Sequence, residues 1–510
     1  MQQDTSAQDA VTLSQAVLGE LDIPVPGYDR SQISVGIVHF GVGGFHRAHQ
    51  AMYVDRLMNE GKDLDWGICG MGVLPGDAAM KQVMAEQDHL YTLVLKHPDG
   101  TLEPRVIGSI VDYVFAPAEA EQAMARLTDP ATRIVSLTIT EGGYNFSQAT
   151  GEFDAQNPAV AHDLEQARVA TQGGEAEPPA TVFGLVVEAL ARRRAAGTSP
   201  FTVMSCDNIQ GNGDMARRQF TAYARLRDPE LAEWIEQEVP FPNSMVDRIT
   251  PVTTDADRLM VAERFGVRDA WPVVAEPFAQ WALEDAFTDG RPAFEEVGVQ
   301  VVPDVEPYEL MKLRLLNVSH QALCYPGFLA GYEYAHEVCQ DPTFVSYLLA
   351  YMNREATPTL RPVDGVDLDA YKHQLIERFA NPHVRDTLAR LCAESSDRIP
   401  KWLVPVIKDN LAHGRPVELG ATIVASWARY AEGTDEHGAP ITVVDGRKER
   451  VMAAAARQSE DELAFVRDTD LFGDLADHEE FTRPYLEALR SFHERGARAT
   501  IEDAVARFAR

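Results

Sequence analysis

The chain has 510 residues, 45% of them hydrophobic, enough to bury a large core and to build two or more domains rather than a small stapled scaffold. Its formal charge of −32 repels phosphate backbones and anionic lipid surfaces, so nucleic acid and membrane are poor partners and the acidity reads as a solvated surface. Cys69, Cys206, Cys324, Cys339 and Cys392 are widely separated with no Cys-x-x-Cys, which suits reduced thiols and leaves no cysteine-based zinc site.

The opening Met1-Gln2-Gln3-Asp4-Thr5 lacks the basic and apolar regions of an export signal, and no apolar run of ~18 residues follows, so a cytoplasmic protein is expected. A polar lead-in extends to about residue 30, and the compact fold is expected to begin at the apolar run 33–40. Strands are predicted at 34–40, 66–71, 133–140 and 201–206, with helices at 48–59, 78–87 and 182–196 between them. Alternation of this kind predicts a Rossmann-like, doubly wound parallel sheet over residues 1–300.

Directly after the first strand stands Gly41-Val42-Gly43-Gly44-Phe45-His46-Arg47, followed within a few residues by a helix. Glycines there let the backbone turn sharply and approach a pyrophosphate, whose charge meets backbone N–H groups at the helix start. His46 takes the place of the third glycine of G-x-G-x-x-G, so the pattern alone fits either a dinucleotide loop or a tight structural turn. Asp77 follows the second strand, where a carboxylate can accept both adenosine ribose hydroxyls and repel a 2′-phosphate, favouring NAD over NADP. It could equally cap the helix after a Pro-Gly turn, and it lies roughly 35 residues beyond the glycine loop rather than the usual ~20. Glu141-Gly142-Gly143 and Asp207-Asn208 also follow predicted strands. The four features share the carboxyl edge, where open α/β sheets bind ligands, and unrelated turns need not do so.

Beyond about residue 305 helices dominate, at 308–323, 343–353, 368–379, 384–392 and 420–430, predicting a mainly α-helical domain over 301–510. The first of them carries Lys312, Asn317 and His320 at i, i+5 and i+8. At about 100° per residue they fall near 0°, 140° and 80°, so one broad face could present all three to an alcohol. Lysine can take a hydroxyl proton, the amide can hold a developing alkoxide and the imidazole can orient the same oxygen. Taken alone, the three are equally ordinary helix residues, exposed or hydrogen-bonded. A lysine base must fall below its reference pKa of ~10.4 to work near neutrality, and Leu313, Leu315 and Leu316 allow the burial that lowers it. His46 and His49 stand three apart with no carboxylate or thiol placed to complete a metal site.

Five segments together resemble the long-chain polyol dehydrogenase, or mannitol dehydrogenase, family: Gly41 through Gln50, Ser136 through Tyr144, Ser205-Cys206-Asp207-Asn208, Met245-Val246-Asp247-Arg248-Ile249-Thr250-Pro251 and the Lys312/Asn317/His320 helix. The resemblance implies NAD-dependent, metal-independent oxidation of D-mannitol to D-fructose and its reverse, by a monomer. It implies that Lys312 is the general base, that Asn208 and Asn317 form an oxyanion hole, and that His320 orients the reacting oxygen. Asp247 and Arg390 would bind the remaining hydroxyls. Fructuronate or tagaturonate reductases and sorbitol or arabinitol dehydrogenases are neighbouring alternatives, the uronates calling for a fixed cation such as Arg390 or Arg398. A β-hydroxyacid dehydrogenase would space its lysine and asparagine as Lys-x-x-x-Asn, one residue closer than Lys312 and Asn317. A non-catalytic NAD-binding sensor would need none of Lys312, Asn317, His320 and Asn208.

Overall fold

The computed structural model describes residues 9–147 and 151–508; the polar opening of the chain lies outside them. One compact unit runs to His97 and from Thr101 to Glu306; the other takes in Pro98–Gly100 and resumes at Pro307.

The first unit is built on five parallel strands: β1 (Val35–Phe40), β2 (Gly67–Gly72), β3 (Ile110–Phe115), β4 (Ile134–Leu137) and β5 (Thr202–Ser205). Their order is β3-β2-β1-β4-β5, the doubly wound arrangement in which the strand order reverses beside β1. Alternate residues feed two cores. Ile37, Ile68, Ile134 and Met204 pack with α1 (Gly44–Ala48), α2 (Gln50–Asn59) and α3 (Asp77–Glu86). Val38, Phe40, Cys69, Val135 and Val203 pack with α4 (Ala120–Thr128), α5 (Val182–Ala196) and α6 (Asn212–Arg227). Burial on both faces is why these strands read as continuous apolar runs. Helix α5 has the boundaries its sequence predicts: the Thr181 side chain accepts from Gly184 N at 2.9 Å, and Gly197, at φ 69°, ends it.

The lead-in differs from expectation. Val11 and Thr12 pair in parallel with Val267 and Arg268, and Leu13, Leu18 and Ile23 are buried against Leu90, Val94, Val106 and Val261. Leu13, Leu18 and Ile23 recur at steps of five, which match neither the strand nor the helix period, yet each gains about 1.5–3 kcal/mol on full burial. Two further three-stranded sheets complete the unit, one of them joining Ser244–Asp247, Gln280–Glu284 and Gln300–Val302.

The second unit is helical. Helix α7 (Glu306–Met311) continues through a π-helical stretch, Lys312–Asn317, into α8 (Val318–Leu329). A second π stretch, Met352–Ala356, extends α9 (Pro342–Tyr351). Then come α10 (Leu368–Phe379), α11 (Leu388–Cys392), α12 (Glu418–Tyr430) and α13 (Glu479–Phe508), the last kinked at Gly496. Helix α12 is buried all round from Leu419 to Tyr430, so it forms the centre of this core.

The N-terminus of α12 is capped from within the core. Leu419 N and Gly420 N each donate at 2.7 Å to the carboxylate of Glu355, which is fully buried in the second π stretch. Burial pushes this carboxyl from its ordinary 4.5 up to about 8, against the pull of the two amide donors. Above the ordinary value the folded chain holds a proton that the unfolded chain has released, so this group's stabilisation falls as pH rises through 8. Glu355→Gln, neutral at every pH, is expected to flatten the decline of Tm between about pH 6 and 9, although one backbone donor loses its acceptor. Thermal melts across that range read the slope, which a single carboxyl can steepen by at most about 1.4 kcal/mol per pH unit. Parallel slopes in both proteins would mean that Glu355 is ionised throughout.

Candidate functional site

At the carboxyl edge of the main sheet the chain leaves β1 through Gly41, whose φ of 89° is open to glycine and costly for other residues. A Cβ there would lie 2.1 Å from the carbonyl oxygen of Thr138, so β1 and β4 approach at this point more closely than any side chain permits. Thr138 Oγ1 donates to Gly41 O at 2.6 Å and fixes the turn. Gly43 is exposed, and α1 begins at Gly44, leaving backbone N–H groups at the helix start open to an anion. These are the features a pyrophosphate cradle requires.

Two of the side chains that follow are buried in the fold. His46 and Arg47 are each 1% exposed. Arg47 Nε donates to Gly43 O at 3.3 Å, and the guanidinium lies over the Tyr91 ring. The His46 ring stacks on His39 of β1 with centroids 3.4 Å apart, and neither of its ring nitrogens has a hydrogen-bond partner. Burial lowers the His39 imidazole to about 3 and holds His46 well below its usual value, so the stack is neutral. In the place of a third glycine, the His46 imidazole fills the space against the strand, so His46 and Arg47 can meet a cofactor only through their backbone. Val42 is buried and Phe45, partly exposed, stacks on His49 at 4.8 Å, so the most open point of this loop is the backbone at Gly43.

Asp77 stands at the first position of α3 and is partly exposed. Its Oδ2 accepts from Val73 N and Leu74 N, both at 2.9 Å, so the turn-capping role is real and leaves Oδ1 for other donors. Asn208 is exposed just beyond β5, and Asp247, 5% exposed, ends the strand Ser244–Asp247. Arg248 is a structural tie that sequence reading did not identify. Its Nε donates to Glu276 O at 3.0 Å and its Nη1 to Ala48 O at 2.5 Å, and burial lowers it to about 10.

In the helical unit, Lys312 and Asn317 bound the π stretch and are 8% and 7% exposed, with Leu315 and Leu316 buried between them. The uniform α spacing used to place them is corrected here. Hydrogen bonds from i to i+5 widen the helix, so a step of five residues returns closer to the starting face than the α-helical 140°. Lysine and amide thus stand nearer one line than the α-helix would set them. His320 follows one turn into α8, its ring 4.4 Å from Phe379 of α10. Arg390 lies on α11, which packs on α8 where Gly327 meets Leu388. Its guanidinium is forked onto Asp386, with Nε to Oδ1 at 2.6 Å and Nη2 to Oδ2 at 2.5 Å. That pairing raises its already high pKa further.

Among the described residues no three histidine, cysteine or carboxylate side chains gather to hold a metal ion. Nor is any described helix long and apolar enough to cross a membrane.

Comparison with known proteins covers both units. The description Mannitol dehydrogenase Rossmann domain matches residues 35–296, and Mannitol dehydrogenase C-terminal domain matches residues 304–493. The chain is 45% identical over 495 residues to the mannitol 2-dehydrogenase of Aspergillus fumigatus, covering 96% of this chain and 97% of that protein. Pseudomonas fluorescens mannitol 2-dehydrogenase, solved as a ternary complex with NAD and D-mannitol, is 44% identical with a TM-score of 0.84, over 97% of this chain and 100% of that one. A D-sorbitol dehydrogenase solved in substrate-free form is 37% identical with a TM-score of 0.89, over 96% and 100%.

Proposed function

Because the chain belongs to the mannitol dehydrogenase family across both of its units, we propose that it oxidises D-mannitol to D-fructose with NAD, and runs the reverse reduction, using a lysine base and no metal. The observation that carries this reading is the π-helical stretch Lys312–Asn317, which buries an amine and an amide at its two ends. Extended π turns are rare and concentrate at functional sites.

In this reading Lys312 Nζ takes the proton of the C2 hydroxyl. A base must be neutral to do so, and desolvation favours a neutral amine. The amides of Asn317 and Asn208 donate to the alkoxide as its charge develops, replacing the Lewis acid that a metal would provide. His320 holds the reacting oxygen in position, its ring braced by Phe379. Asp247 accepts from the remaining hydroxyls and Arg390 donates to them. NAD, when bound, takes up the hydride that leaves C2. Gly41, with no room for a Cβ, and the exposed backbone at Gly43 fit the pyrophosphate; Asp77, oriented by two backbone N–H groups, presents a carboxylate to the ribose.

A uronate substrate would bring a carboxylate needing a forked cation, and the fork of Arg390 is already engaged by Asp386. That leaves Arg390 its remaining N–H groups for neutral hydroxyls, and Arg398, whose Nη1 donates to Leu391 O at 3.1 Å, as the other cation a uronate could use. NADH consumption with fructose, fructuronate and a 3-keto acid, beside NAD reduction with mannitol and sorbitol, separates the readings. Turnover of fructose and mannitol is expected. Rapid turnover of fructuronate alone moves the assignment to the uronate reductases, and turnover of the keto acid alone to a β-hydroxyacid dehydrogenase.

A further inference from the structure

Asn208 lies in the loop between β5 and α6, and that loop is held by one buried carboxylate. Asp207, 7% exposed, accepts from Thr140 N at 2.8 Å through Oδ1 and from Ile139 N at 3.1 Å and Tyr144 Oη at 2.8 Å through Oδ2. The Tyr144 hydroxyl is also 2.6 Å from Ser205 Oγ. The backbone carbonyl of Asp207 accepts from Ile209 N at 2.9 Å and from Asn212 Nδ2 at 2.9 Å. The same Asn212 amide group donates to Ser244 O at 2.8 Å, while Asn212 Oδ1 accepts from Ser244 N at 2.9 Å. One polar lattice therefore ties together the ends of β4 and β5 and the strand that carries Asp247.

The arrangement is demanding. Thr140 is a β-branched residue held at φ 62°, a strained backbone that persists only where its surroundings enforce it. Its N–H, offered at this angle, is the one that the Asp207 carboxylate receives. Burial raises the Asp207 carboxyl while its three donors lower it. A lattice of this cost is not needed to hold a parallel sheet together, since β4 and β5 already pair along their length from Ile134 to Ser205.

We infer that Asp207 is a positioning residue for the proposed reaction: through its grip on Thr140, Ile139 and Tyr144 it sets where the Asn208 amide donates. The inference rests on the reading of Asn208 as an alkoxide donor. A displacement near 1 Å at such a donor can cost about 10²-fold in rate. In Asp207→Asn an amide replaces the carboxylate, and its N–H₂ confronts at least one backbone or phenol donor, so the loop must shift.

The test is a double-mutant cycle on mannitol oxidation, with thermal melts and NADH fluorescence titration as independent readouts. Asp207→Asn is expected to lower kcat about 10- to 100-fold with KM for mannitol and NADH affinity changed less than about threefold. In an Asn208→Ala background the same substitution should lower kcat no further, because the group being positioned is gone. Tyr144→Phe keeps the carboxylate and removes one donor; a loss of several-fold with the same coupling is expected, and it serves if Asp207→Asn does not fold. Additive losses, or an Asp207→Asn enzyme with unchanged kcat, overturn the inference while leaving the function intact. An Asn208→Ala enzyme of full activity overturns the reading of Asn208 as an alkoxide donor, and the inference with it.

Discussion

Replacing Lys312 with alanine is expected to lower kcat for mannitol oxidation by about 10²–10⁴-fold, the range that positioned proton transfer contributes, while NADH affinity stays within about twofold. Lys312 is in the helical unit, at the start of the π stretch, whereas the residues fitted to a dinucleotide are Gly41, Gly43, Gly44 and Asp77 of the sheet unit. A base acts only on the chemical step, so its removal should leave cofactor titrations unchanged and should lower kcat and kcat/KM together. Truncation also removes a side chain that is only 8% exposed, leaving space that a primary amine such as methylamine, added in solution, can fill. Partial recovery of rate with added amine, growing with pH as the amine loses its proton, would identify the missing group as a base and not as a structural cation. Undiminished turnover would falsify the assignment of Lys312. Loss of NADH binding in parallel would instead make the lysine a support of the fold.

The sheet was legible because both of its faces are buried. Ile37, Val38 and Phe40 are apolar whichever way they point, so each strand stands out as a run. Strand β3 was missed for the complementary reason: Asp112 interrupts it, its carboxylate engaged by Arg126, and a charge in a short run hides the period. The π stretch was invisible as such. Lys, Leu and Arg are all good α-helix formers, and no composition distinguishes a ladder that slips by one residue. What the sequence did hold was the step of five between Lys312 and Asn317, awkward on an α-helix and natural on the wider one. Asp77 shows a different limit. Its turn role and its proposed ribose role need the same carboxylate, one oxygen each, so weighing one reading against the other set up a choice that the structure does not make. The reach of Asp207 could not be read at all, because Thr140, Tyr144 and Ser205 meet it only once two strands lie side by side.

Two glycine substitutions two residues apart separate the architecture of the cofactor loop from its chemistry. Gly41→Ala places a methyl group 2.1 Å from Thr138 O at a φ of 89°, and the atom it meets is backbone, which cannot rotate away. The conformational penalty alone is about 1–3 kcal/mol, and relieving the clash pushes Thr138 toward Ile139 and Thr140, the residues whose N–H groups Asp207 receives. A fall in Tm of several degrees is expected, together with at least about a tenfold loss in NADH affinity. Gly43→Ala differs in every structural respect: its φ is −91°, and the new Cβ finds nothing closer than Gly41 O at 3.8 Å. Its Tm should stay within about a degree, since an Ala for Gly exchange at a permitted backbone angle stabilises if anything. Its NADH affinity should nonetheless fall, because the added methyl projects from the exposed backbone that the pyrophosphate must approach. A Gly43→Ala protein that melts and binds NADH like the parent would mean that the phosphates lie elsewhere, and that the close approach of β1 to β4 at Gly41 serves the fold alone.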